Sequence, residues 1–157
     1  MPPSSMKFLK AVRLDDSDAR IYAGEDGAAA DGEWLVSGGY AVCDLAAGHR
    51  HTPCHCDTTF VGVISHGRCT LAEVADIDAA DYAELSERLA QHFLDDLGAP
   101  SRDAARQAAE EECAYTADLA AGFSADVWIT VKREPTPDGI GEHYAVFRRL
   151  MIGAHKL

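Results

Sequence analysis

Eight consecutive residues, His49-Arg50-His51-Thr52-Pro53-Cys54-His55-Cys56, bring three imidazoles and two thiols together. These are the donor types that zinc and related ions take, at bond lengths of about 2.0 to 2.3 Å, so useful ligands must converge on one point. In an extended chain, side chains two residues apart share a face, which couples His49 with His51 and Cys54 with Cys56 and sends His55 the other way. Thr52-Pro53 can bend the chain between the couples, because proline fixes its own φ and restrains the residue before it. His49, His51, Cys54 and Cys56 are therefore the candidate ligand set for one divalent, zinc-like ion. The plainer alternative is a solvated loop, since C-x-C beside H-x-H is not a C-x2-C ribbon pattern. A dithiol redox reading fits less well, because the spacing is C-x-C and no helix is expected to follow.

A second pair, His66 and Cys69, has H-x-x-C spacing. If residues 58–65 form a strand, its ends stand about 26 Å apart, and this pair cannot join the first. The returning strand would bring Asp76 back as a possible fifth ligand. Elsewhere, Glu112 falls on the apolar stripe of a predicted helix, where a carboxylate must be paired, hydrogen-bonded or protonated, or else reach water at the stripe's edge. Arg148 or Arg149 is its expected partner, and Glu112 with His143 is the candidate acid and base of an enzyme reading. His92, beside a core face, reads as structural. No Ser-His-Asp or H-E-x-x-H arrangement is present, and nothing identifies a nucleophile.

The elements that would position these groups follow from periodicity. Lys7–Leu14 reads as a first strand, with a short extended piece at Arg20-Ile21-Tyr22. Glu33–Val36 and Tyr40–Cys43 flank Ser37-Gly38-Gly39 as a hairpin or a bulged strand. Thr58–Ser65 is the clearest strand, and after a turn at His66-Gly67-Arg68 its antiparallel partner runs from Cys69 to Ile77. Asp78 caps a helix to about Leu97, and Gly98 stops it. Ser101 caps a second helix to Ala121, ended by Gly122. Ala125–Val131 is a strand, residues 134–141 are a loop, and His143–Met151 is the last strand. The expected fold is α+β: a mainly antiparallel sheet with two consecutive helices packed on one face. Residues 1–5 read as a frayed leader and 6–157 as a single domain.

Composition narrows the function classes. The chain has 157 residues and a net charge of −12, which disfavours a nucleic-acid partner because phosphate neutralisation needs clustered Lys and Arg. The acidic excess is local: eleven acids against three bases lie between Asp76 and Glu112. Apolar runs are short, so no membrane span is expected, and the N-terminus lacks the apolar core of a signal peptide. A cytoplasmic location follows, in which five cysteines stay reduced. Cys43, Cys69 and Cys113 then read as buried packing residues.

The segments Met6–Asp15, Gly32–Val36, Phe60–Val63 with Cys69-Thr70-Leu71, and Ala108–Glu112 resemble a small family of uncharacterised proteobacterial proteins. The resemblance runs from Met6 to Leu150. It implies one conserved domain and no inherited activity or catalytic residue. That family shows no matching run at residues 49–56, which would make the His/Cys cluster particular to this chain or a subgroup. The reading is a small accessory or binding protein that holds a divalent metal. The alternatives are a small enzyme with a carboxylate/histidine pocket between sheet and helices, or an interaction subunit with a protein partner or a second copy of itself.

Overall fold

The central strand, β1 at Met6–Val12, alternates so that Phe8 faces one side and Leu9 and Ala11 the other. All three are buried, and the sheet is built outward from them. The computed structural model describes residues 6–14, 17–21, 27–41 and 58–148. The leader at 1–5, Cys43, the run at 49–56 and Arg149 lie outside the described residues.

β1 pairs with β5, Leu71–Ile77, from Met6↔Ile77 to Val12↔Leu71. Its other edge meets β2, Trp34–Val36, which pairs in turn with β3, Phe60–Gly62. β3 pairs with the two-residue β4, Arg68–Cys69. Beyond β5 lies the long hairpin of β6, Val127–Thr136, and β7, Gly139–Arg148. The strand order is β4-β3-β2-β1-β5-β6-β7, antiparallel throughout. The sheet curls, so that Arg133 on β6 reaches the carbonyls of Ser37 and Thr59 beside β2 and β3. With its helices it is a single-domain α+β fold.

Among the described residues three α-helices complete it: α1 at Ser17–Ile21, α2 at Ala79–Asp95 and α3 at Arg102–Ala121. Both long helices start at the expected caps. The Asp78 carboxylate accepts the Asp81 N–H at 2.7 Å, and the Ser101 hydroxyl accepts the Ala104 N–H at 3.1 Å, each satisfying an amide with no helical partner. α2 buries Leu85, Leu89 and Phe93 with Phe8, Val36, Val61 and Val63, and α3 adds Ala105, Ala109 and Cys113 to that cluster. A second cluster joins Leu9, Leu35, Phe60, Ala72, Val74, Ile129 and Val131 to Ala120 near the end of α3. Each large apolar side chain withdrawn from water here contributes about 1.5–3 kcal/mol before chain entropy is counted.

Several local expectations are corrected. Arg20 and Ile21 belong to a helical turn instead of an extended piece. In that turn Asp18 accepts the Thr70 hydroxyl at 2.9 Å and anchors it to the sheet. Tyr40 does not return as a strand. Gly38 adopts φ +90°, and Gly39–Ala41 is a short 3-10 turn, so β2 pairs with β1 and β3 instead.

The strand expected over 58–65 is only three residues long. The buried Glu33 carboxylate accepts the N–H groups of Ile64 and Ser65 at 2.8 and 2.7 Å and the Ser65 hydroxyl at 2.8 Å, which draws Val63–Ser65 into a turn. The strand expected from Cys69 to Ile77 divides at Thr70, and its long part runs beside β1. Asp76 therefore sits opposite Lys7, exposed, and not on a strand returning along β3. Finally, residues expected as a loop at 134–141 continue β6 and β7, with only Pro137-Asp138 between the strands. The Thr136 hydroxyl donates to the Gly139 carbonyl at 2.9 Å and closes that turn.

Candidate functional site

Among the described residues, two places gather chemically capable side chains. The first is a cavity of about 390 Å³ where the end of β2, the middle of α3 and the β6–β7 hairpin meet. α3 presents Glu112 and Tyr115 to it, the hairpin presents Arg133, Ile140 and Glu142, and the turn after β2 supplies Ser37 and Tyr40.

Arg133 organises this cavity. It is 1% exposed, and strand alternation puts it on the side of Ile129 and Val131. Its Nε donates to Glu142 at 2.6 Å, and its two Nη groups donate to the carbonyls of Thr59 and Ser37 at 2.7 and 2.6 Å. A buried guanidinium needs such a full set of acceptors, because an unpaired buried charge costs several kcal/mol. Glu142 also accepts the Tyr115 hydroxyl, and the Tyr144 hydroxyl at 3.1 Å. Burial alone would raise the Glu142 carboxyl, but the Tyr115 hydroxyl and the Arg133 guanidinium together bring it below its ordinary range.

Glu112 faces the opposite balance. It is half-buried and accepts the Gly38 N–H at 2.8 Å. Burial pushes its carboxyl up, and Gly38 and Arg133 oppose that rise only in part, while the charge of Glu142 adds to it. Of the expected partners, Arg148 lies exposed opposite Val127, and Arg149 is outside the described residues. His143 does not line the cavity either. It is one residue from Glu142 and so points to the other side of β7, where its ring meets Glu134 at 2.9 Å. The carboxylate expected from the sequence is in a cavity, while the histidine proposed beside it is not.

The second place lies on the outer side of α2. His92 and Asp96, one helical turn apart, meet at 2.8 Å, and His66 stacks on His92 with ring centroids 3.6 Å apart and planes 12° from parallel. Ligand atoms of all three lie within 4.8 Å of one another. They border a hollow of about 200 Å³ that Gln91 and Asp95 also line. His66 reaches this position because it takes φ +59° in the turn that Glu33 holds, just before Gly67 packs against the backbone of Ala28 and Ala29. Two imidazoles and a carboxylate are a donor set for a zinc-like ion with water completing the shell.

His66 thus converges with His92, not with Cys69. Cys69 is fully buried, and its thiol meets the carbonyls of Leu71 and Val12 at 3.1 and 3.8 Å. Burial pushes this thiol up to about 12, and Cys113 likewise, so both are packing residues, as expected. His49, His51, Cys54, His55 and Cys56 lie outside the described residues. The residues missed from sequence are Arg133, Glu142 and Tyr115, together with the pairing of His66 with His92.

A small α+β domain with a polar cavity and a separate histidine–aspartate cluster is the class that fold and geometry define. The chain belongs to a family of unknown function, DUF6505, which it matches over residues 6–155. No curated protein and no solved structure matches it. No helix among the described residues is long and apolar enough to cross a membrane.

Proposed function

We propose that this protein is a small cytoplasmic accessory protein, of a proteobacterial cell, that binds a divalent cation of zinc type. The observation that supports this reading is the convergence of His66, His92 and Asp96 from two separate elements. An ion there would take the two imidazole nitrogens and an Asp96 oxygen. Because near-parallel stacked rings do not aim their nitrogens at one point, the rings would turn toward the ion as it binds. Protons compete for the same nitrogens, so occupancy would fall on acidification. His49, His51, Cys54 and Cys56 supply a second donor set of the same preference, and the two sites are proposed to be independent.

Elemental analysis after zinc loading and desalting tests both. The expected content is two ions per chain. His66→Ala with His92→Ala should remove one, and Cys54→Ser with Cys56→Ser should remove the other. A content of zero rejects the function, and a content unchanged by the histidine pair rejects the site at α2.

A second reading is favoured by one observation, the half-buried Glu112 with its raised carboxyl on the wall of the larger cavity. A carboxyl whose pKa burial raises is suited to proton transfer. The general base would then be Glu112 alone, since His143 faces away.

A further inference from the structure

The cavity between β2, α3 and the hairpin has a charge pattern that selects its occupant. Two carboxylates, Glu112 and Glu142, line it with one cationic side chain, Arg133. Arg133 is already committed: its N–H groups go to Glu142 and to the Ser37 and Thr59 carbonyls, which leaves it poorly placed to receive an anion. The Arg133–Glu142 pair is internally balanced, whereas Glu112 is held by a backbone amide of the turn after β2. Arg133 therefore offsets the charge of Glu112 only in part, and no other cationic side chain among the described residues lines the cavity.

The walls complement that charge. Tyr40 and Tyr115 present aromatic rings and Ile140 an apolar side chain at the mouth. Tyr40 is fixed edge-on against Phe93, with centroids 4.8 Å apart, so its ring is a positioned surface. A carboxylate among aromatic rings in a low-dielectric recess is the arrangement that receives an ammonium group, through a charge-assisted hydrogen bond and attraction to the ring faces. A volume of about 390 Å³ is at the small end of the range for small-molecule sites. Glu112 and Glu142 join no third His, Cys, Asp or Glu in a convergent donor set among the described residues, so a metal is not the fitting cation.

We propose that this cavity binds a small molecule carrying a primary ammonium group on a compact apolar body, with Glu112 as the carboxylate that receives the ammonium. The site is independent of the metal-binding reading, being built from other residues.

The test is calorimetric titration of the full chain, in buffer containing a chelator, with benzylamine, phenethylamine and cyclohexylamine, and with benzoate and benzyl alcohol as charge-reversed and neutral counterparts. At least one amine should bind saturably, and more tightly than either counterpart. Glu112→Gln, which keeps an oxygen for the Gly38 amide but removes the charge, should weaken that binding by about tenfold. Ile140→Trp, at an exposed position on the hairpin where folding is not at stake, should block it by filling the mouth. No saturable binding by any of the three amines, tighter binding of benzoate, or equal binding by the Glu112→Gln variant would each overturn the proposal.

Discussion

The larger cavity and the histidine cluster differ in how their side chains are held. At the cavity, Arg133 is almost wholly buried and bonded to three separate parts of the chain, so the charges there are part of what holds the curled sheet together. At α2, Asp96 is 60% exposed and the two partly buried rings rest on one another. The first arrangement is costly to disturb and pre-organised. The second can rearrange around an ion at little cost to the fold. A polar group's contribution to stability and its availability for a ligand thus run in opposite directions in this molecule.

The largest expected effect comes from breaking the buried side of that comparison. Arg133→Met removes the cation from Glu142 and the guanidinium donors from the Ser37 and Thr59 carbonyls, and should cost about 3–5 kcal/mol in urea unfolding. Arg133→Lys should recover little of it, because an ammonium cannot reproduce the forked contacts. Zinc supplies the next effect: at a hundredfold excess over its dissociation constant a bound ion adds about 2.7 kcal/mol, read as a raised melting temperature. In a Cys54→Ser, Cys56→Ser background that rise should vanish when His66 and His92 are both replaced by Ala.

Smaller effects sort the two carboxylates by pH. Glu112 has a raised folded-state pKa, so the native state keeps a proton that the unfolded chain releases, and stability declines as pH rises from 4.5 through the raised value. Glu112→Gln should abolish that decline and leave stability at neutral pH equal or higher. Glu142 is lowered, so its contribution is present above the ordinary carboxylate range and is lost as pH falls through its depressed value. Urea midpoints across a pH series should show both slopes. The smallest effect is His92→Ala without metal, expected to shift stability by about 1 kcal/mol or less, since His92 pairs with an exposed aspartate.

How much of this was legible in the sequence depended on whether local signals stood alone. Asp78 and Ser101 marked the starts of α2 and α3 because capping is a short-range contact that sequence encodes directly. The apolar stripe through Glu112 was also readable, and it led to the cavity. The alternation of Val127, Ile129 and Val131 carries on to Arg133 on the same inward side, but Pro135 and Pro137 read as a loop where the hairpin in fact continues. His66 was unreadable for a different reason. Its position depends on Glu33, about thirty residues away, turning the chain at Ile64 and Ser65, and no local pattern announces such a bond. The apolar run Phe60–Ile64 looked like an uninterrupted strand for the same reason.

The proposal that His66, His92 and Asp96 bind a cation is tested most directly by imidazole nitrogen NMR on the Cys54→Ser, Cys56→Ser variant during zinc titration. The ring signals of His66 and His92 should move together and saturate at one equivalent, and the remaining His92 signal should not respond after Asp96→Ala combined with His66→Ala. Rings that stay unmoved through several equivalents of zinc, or that shift one without the other, would contradict it.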